Sequence, residues 1–326
     1  MSRVGVLVIN FGEPDESTPE QVVPFLERIF LQNMGLESAD PEAHRARARQ
    51  LAEARAPGLI EEYRAIGGSP LNAQADRQAE ALERTLRERG HDARVYSAFQ
   101  FTAPFLHAAL DAARGDGAER LVALPVYPVR GRSTTMAALD EVERGIEAIG
   151  WAVPWTGIAG WHTEPAYLAL RADGIRRYVE KEGLDLNAPD TILHFSVHGS
   201  PLRYLELDDT TRYDDLVAAH CRDLARALGA EKYAVGFQNH TNRPIEWTQP
   251  DNEDRIRDLS ETHLVVDPVS FMHEQSETLA ELDHELREFV EGEGKHLHRV
   301  PVPHDDPRFP DLLATLIETA LGTLEA

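Results

Sequence analysis

The chain has 326 residues, 42% of them hydrophobic, with 33 Lys and Arg against 56 Asp and Glu, for a formal net charge of −23. That length carries two domains with sizeable cores, and the acidic balance argues against nucleic acid and anionic membranes as partners, because both demand a basic face. The single cysteine, Cys221, excludes an intrachain disulfide and a zinc or iron–sulfur site built from four cysteines of one chain.

The opening stretch MSRVGVLVINFGEPD has one basic residue, a short apolar run and no small-residue cleavage site. It reads as a first strand over 4–10 and not as a signal peptide, which makes the cytoplasm the expected address. Further strands are predicted at 93–99, 120–127, 150–158, 191–197, 232–238 and 263–271, each a short apolar run. Helical patterns lie between them, such as 72–90, closed by Gly90, and 133–150, opened by Ser133 and closed by Gly150. LVAAHCRDLARAL is a helical pattern in which Cys221 reads as a small buried side chain. The last segment, DPRFPDLLATLIETALGTL, is an amphipathic helix able to pack on either lobe. Alternating strands and helices with continuous apolar strands predict an α/β fold with mainly parallel sheets. Two similar doubly wound lobes fit the strand count, with the ligand site in the interlobe cleft. The expected boundaries are 1–155, 156–305 and a final helix over 306–326. No G-x-G-x-x-G after a strand, Walker A sequence or G-x-S-x-G elbow is present, which takes weight from NAD binding, nucleotide hydrolysis and serine hydrolysis.

Four stretches carry chemistry. SFMHEQSETLAELDHELRE, residues 270–288, reads as a helix with Glu274, Glu277, Glu281 and Glu285 at offsets 0, 3, 7 and 11 on one face and Leu279, Leu282 and Leu286 on another. Within it HEQSE has one His where a zinc protease needs two, so that reading fails. The acid stripe is either a solvated face of an acidic protein or a track of oxygen ligands that passes a divalent cation along weak sites. HFSVHGSP places His198 at the C-terminal end of a buried strand, where a parallel sheet faces its ligand, and an imidazole there can exchange a proton or ligate a metal. YPVRGRSTT offers Arg130 and Arg132 before a helix start, a carboxylate or phosphate clamp. GFQNHTNRPIEWTQPD is rich in amides and carries His240, Arg243, Trp247 and Pro250, which suits a loop stacked on a flat ligand.

In this order the motifs resemble the ferrochelatase family, the enzymes that insert ferrous iron into a porphyrin in haem synthesis. The similarity runs over almost the whole chain: GVLVINFGEPDESTPEQVVPFLERIF, IGGSPLNAQADRQAEAL, LPVYPVRGRSTTMAAL, FSVHGSP, FQNHTNRPIEWTQPD and SETLAELD. The resemblance implies two Rossmann-like lobes with the macrocycle in the cleft, and a metal chelatase (a lyase) that takes Fe²⁺ as substrate. No tightly bound cofactor and no iron–sulfur cluster is expected. It implies His198 as pyrrole proton acceptor, with Glu277 facing it across the cleft. It further implies His198, Glu277, Glu281 and Glu274 as metal contacts. Phe11, Ser69, Gln238 and Trp247 fall at porphyrin-contacting positions, while Arg130 and Arg132, joined by Arg243, are this chain's own propionate anchors. Two propionates imply protoporphyrin IX and four imply coproporphyrin III; several arginines tilt towards the second. Transient contacts with other haem-pathway enzymes are a further expectation. One departure stands out: the family usually carries His immediately after the acidic position of Glu274, and this chain has Gln275. The rival readings are a chelatase for another metal and tetrapyrrole, a porphyrin or haem carrier without catalysis, and a two-lobed small-molecule binding protein.

Overall fold

The computed structural model describes residues 3–37, 41–207, 211–239 and 245–325. The chain separates into two compact units, Met1–Val126 with Ser133–Gly160 and Pro307–Ala326, and Tyr127–Arg132 with Trp161–Asp306.

The first unit is built on four parallel strands, β1 (Val4–Asn10), β2 (Ala93–Phe99), β3 (Arg120–Pro125) and β4 (Trp155–Gly157), in the order β2-β1-β3-β4. The run VGVLVIN is buried along its whole length, as a central parallel strand covered on both faces must be. The strand predicted over 150–158 shrinks to three residues after Pro154, because proline has no N–H to give to a ladder. The helix Phe309–Glu325, which the sequence leaves to either lobe, belongs here. Its Asp311 and Glu318 take the Arg89 guanidinium at 2.8 Å each, and Glu318 also meets His91 Nε2 at 3.0 Å.

The second unit repeats the plan with β5 (Thr191–His198), β6 (Tyr233–Gln238), β7 (His263–Pro268) and β8 (His296–Arg299), in the order β6-β5-β7-β8, again all parallel. The direction of winding changes between β5 and β7, the place where such sheets bind ligands at their carboxyl ends. β7 stops at Pro268, short of the predicted 271, for the same reason as β4. β8 was not anticipated; its sequence HLHR holds one apolar residue, Leu297, which is buried. One core face gathers Phe195, Val197, Val217, Cys221 and Val265, and the other Ile192, Leu264, Val266, Leu282 and Leu286. Cys221 is buried in the helix Tyr213–Leu228 and burial pushes its thiol up. Among the described residues no helix is long and apolar enough to cross a membrane.

Two buried imidazoles make this unit sensitive to acid. His220 Nδ1 donates to the carbonyl of His162 at 3.1 Å, and its Nε2 is buried with no acceptor to receive a second proton. Burial lowers His220 from 6.5 to about 4, and His194 likewise. Both folded values lie below the unfolded one, so the unfolded chain binds more protons between these limits. Stability is therefore complete above about 6.5 and lost as pH falls towards about 4, by up to about 3 kcal/mol per imidazole. Urea unfolding at pH 7 and pH 4.5 is expected to show this loss, with His220→Gln reduced to roughly half of it. An equal loss in wild type and variant would assign the acid sensitivity elsewhere.

Candidate active site

His198 is held by its main chain. Its N–H donates to Ser270 Oγ at 3.2 Å, its carbonyl accepts from Tyr213 Oη at 3.0 Å, and those two hydroxyls lie 3.2 Å apart. Burial pushes the Tyr213 hydroxyl up, so it stays a neutral donor. The next residue, Gly199, donates to the Gln238 carbonyl at 2.8 Å. A Cβ at Gly199 would lie 2.7 Å from that carbonyl and would overlap the Asn239 side chain. Gly199→Ala is expected to cost about 1–3 kcal/mol in overpacking and to shift His198. A thermal melt together with an activity assay checks this; wild-type values in both would contradict the close fit.

The His198 ring is one third exposed, and its Nε2 lies 3.2 Å from Oε1 of Glu277, itself about one fifth exposed. The expectation that Glu277 faces His198 across the cleft gives way to direct contact within one unit. The other Glu277 oxygen, Oε2, accepts from Gln275 Nε2 at 2.7 Å. Gln275 thus orients the carboxylate that touches His198. Tyr127 is pushed up by desolvation and then by the Glu277 carboxylate, which keeps a neutral phenol near the pair.

The acidic segment differs from the sequence reading. Residues 270–275 are turn, bend and irregular chain, and Glu277–Leu286 is a π-helix continued by the α-helix Arg287–Gly292. A π-helix closes i→i+5 hydrogen bonds, so its turn exceeds four residues. Glu277, Glu281 and Glu285, spaced by four, stay near one line, grading from partly buried to exposed at Glu285. Glu274 leaves the stripe: it is buried, accepts from Thr278 Oγ1 at 2.6 Å and pairs with Arg299 at 3.0 Å. Arg299 also forks onto Asp283 at 2.6 and 2.7 Å. These bonds tie β8 to the π-helix and compensate the buried charge.

The other anticipated residues are placed as follows. Gln238 is buried, with its amide donating to Glu281 Oε2 and to the Glu277 carbonyl, both at 3.1 Å. Trp247 is buried and its backbone bridges to Pro201. Arg130 donates to the Thr211 carbonyl at 3.0 Å, and Arg132 opens the π-helical turn Arg132–Met136. His240 and Arg243 lie outside the described residues. In the first unit Phe11 is half-buried against Phe101 and Phe25, with ring centroids 4.6 and 6.0 Å away. The Ser69 hydroxyl donates to the buried carboxylate of Glu13, which also accepts from Tyr63 Oη at 3.0 Å. Among the described residues no three His, Cys, Asp or Glu side chains gather to hold a metal ion. Sequence reasoning missed Ser196, Tyr213, Asn252, Ser270 and Arg299. A usable signal for the first was the polar alternation His194, Ser196, His198 inside a buried strand, since residues two apart share a face.

The ferrochelatase family model matches residues 3–321. The ferrochelatase of Rippkaea orientalis is 34% identical over 330 residues, covering 98% of this chain and 83% of that protein. The ferrochelatase of Gloeobacter violaceus is 32% identical and covers 99% of both chains. In fold, the Bacillus subtilis SirB structure with Fe³⁺ superposes with a TM-score of 0.59 at 10% identity, over 99% of this chain and 97% of that one. The siroheme-biosynthesis enzyme CbiX of denitrifying bacteria gives 0.53 at 17% identity, over 97% and 99%. With a family match along nearly its whole length on two parallel-sheet units, the chain belongs to the ferrochelatase family, the metal chelatases of haem biosynthesis.

Proposed function

We propose that the chain inserts ferrous iron into a porphyrin with His198 as the pyrrole proton acceptor and Glu277 as its immediate partner. The observation that carries this is the contact between His198 Nε2 and Glu277 Oε1 at 3.2 Å, at the carboxyl end of β5. A free porphyrin holds two pyrrole hydrogens in a flat ring. Insertion breaks two N–H bonds, forms the iron–nitrogen bonds and releases two protons, with no change of iron oxidation state. A neutral imidazole can take each proton in turn, and a carboxylate in contact stabilises the imidazolium that results. Ring distortion exposes a nitrogen lone pair, with strain of roughly 1–5 kcal/mol drawn from contacts elsewhere on the ligand.

The line from exposed Glu285 through Glu281 to Glu277 supplies hard oxygen ligands ending at the proton acceptor. Carboxylates hold Fe²⁺ more loosely than thiolate or imidazole cages would, which suits transfer. Arg130 and Arg132 are assigned to propionates of protoporphyrin IX or coproporphyrin III. Glu281→Gln is expected to raise the Fe²⁺ concentration for half-maximal rate by roughly 3- to 10-fold, the loss of one charged ligand contact. Glu274→Gln is instead expected to lower the melting temperature, since it removes one of the two carboxylates paired with the buried Arg299. Steady-state rates against Fe²⁺ test the track; a Glu281→Gln enzyme with wild-type iron dependence would remove it.

A further inference from the structure

Of the three polar residues that share one face of β5, only His198 has a part in the chemistry so far; His194 and Ser196 lie deeper and are fully buried. They belong to a hydrogen-bonded chain that ends on the acidic π-helix. His194 Nε2 meets Asn252 Oδ1 at 2.9 Å, Asn252 Nδ2 meets Ser196 Oγ at 2.8 Å, and Ser196 Oγ meets Gln238 Oε1 at 3.1 Å. Gln238 Nε2 then donates at 3.1 Å to both Glu281 Oε2 and the Glu277 carbonyl.

Each link has a fixed direction. The Glu277 carbonyl and the Glu281 carboxylate accept, so Gln238 must turn its NH₂ to them and its carbonyl to Ser196. The Ser196 hydrogen goes to that carbonyl, leaving the Ser196 oxygen to accept from the Asn252 amide. Asn252 then presents its oxygen to His194, whose Nε2 carries the hydrogen; burial holds that ring neutral, with a value of about 4. All donors run towards the acid, an arrangement in which each bond polarises the next. Carboxamides do not pass protons on, so the chain orients and does not relay. The backbone makes room for it: a Cβ at Gly236 on β6 would lie 2.9 Å from Asn252 Cα and collide with its side-chain oxygen.

We infer that Ser196 and Asn252 are positioning residues for metal delivery: through Gln238 they fix the Glu281 carboxylate and the first turn of the π-helix beside the His198–Glu277 pair. The inference rests on the metal-insertion reading above. Wild-type enzyme and Ser196→Ala are compared in anaerobic porphyrin metallation, varying Fe²⁺ and porphyrin separately. Ser196→Ala leaves the Gln238 carbonyl without its donor. The KM for Fe²⁺ is expected to rise roughly 3- to 10-fold, the range for one hydrogen bond, while the KM for porphyrin stays within about twofold. Ser196→Thr, which keeps the hydroxyl, is expected to restore the iron dependence. Absence of turnover in wild type overturns the functional reading itself. Turnover in wild type with an unchanged iron KM in Ser196→Ala, or with both KM values raised together, overturns the positioning role alone. If a melt shows Ser196→Ala unfolded, Asn252→Asp decides by the same split. It keeps the volume, but its new carboxylate draws the Ser196 hydrogen away from Gln238.

Discussion

His198→Ala is expected to lower kcat for metal insertion by roughly 100- to 10,000-fold, the span for loss of a positioned general base. The fold is expected to survive. The main chain at this position is gripped by Ser270 and Tyr213 through backbone atoms that alanine keeps, and the lost ring is one third exposed. Porphyrin binding, read from the free-base spectrum on titration with enzyme, is expected to persist, because the ring is removed and no anchor for the propionates is touched. Glu277→Gln is expected to do less harm: the amide still contacts the imidazole but no longer offsets the imidazolium charge. Near-wild-type kcat in His198→Ala would move the proton acceptor elsewhere, and loss of the melting transition would make the residue structural.

The largest stability effect is expected at a buried ion pair away from this chemistry. The Arg171 guanidinium on the helix Pro165–Glu182 donates to the Asp267 carboxylate on β7, with side chains 1% and 0% exposed, and to the Pro301 carbonyl at 3.2 Å. Asp267→Ala strands a guanidinium where water cannot reach it, which typically costs about 3–5 kcal/mol. The double replacement Arg171→Met with Asp267→Leu removes both charges and is expected to recover most of that loss. Arg171 Nε and Asp267 Oδ2 have no hydrogen-bond partner, so the pair is incompletely compensated as it stands. Urea unfolding of the two variants checks this. A single variant as stable as the double would show that the charge finds water or another carboxylate.

The parallel-strand scaffold was legible because buried parallel strands are apolar on both faces and leave continuous runs such as VGVLVIN and LVALP. The short strand HLHR was not, since one buried Leu among polar residues carries no periodic signal. His198 and Glu277 could be found by motif and position, but their contact could not, because they are 79 positions apart in the chain. Periodicity also misjudged the acids. Residues four apart are neighbours on α- and π-helices alike, so the spacing of Glu277, Glu281 and Glu285 does not distinguish the two. It was the three-residue step to Glu274 that assumed an α-helix, and the structure spends that carboxylate on Arg299 instead. The amide loop gave a similar half-answer: its polarity marked Gln238, while the direction of that side chain depends on Ser196 and on the π-helix, both remote in sequence.

The most direct test is anaerobic. Purified protein is mixed with Fe²⁺ and either protoporphyrin IX or coproporphyrin III, and the free-base absorption bands are followed as they collapse to those of the metallated ring. Repeated turnover with at least one porphyrin is expected in wild type, with its near-complete loss in His198→Ala. Tight binding of both porphyrins by the wild-type protein with no conversion of either would contradict it.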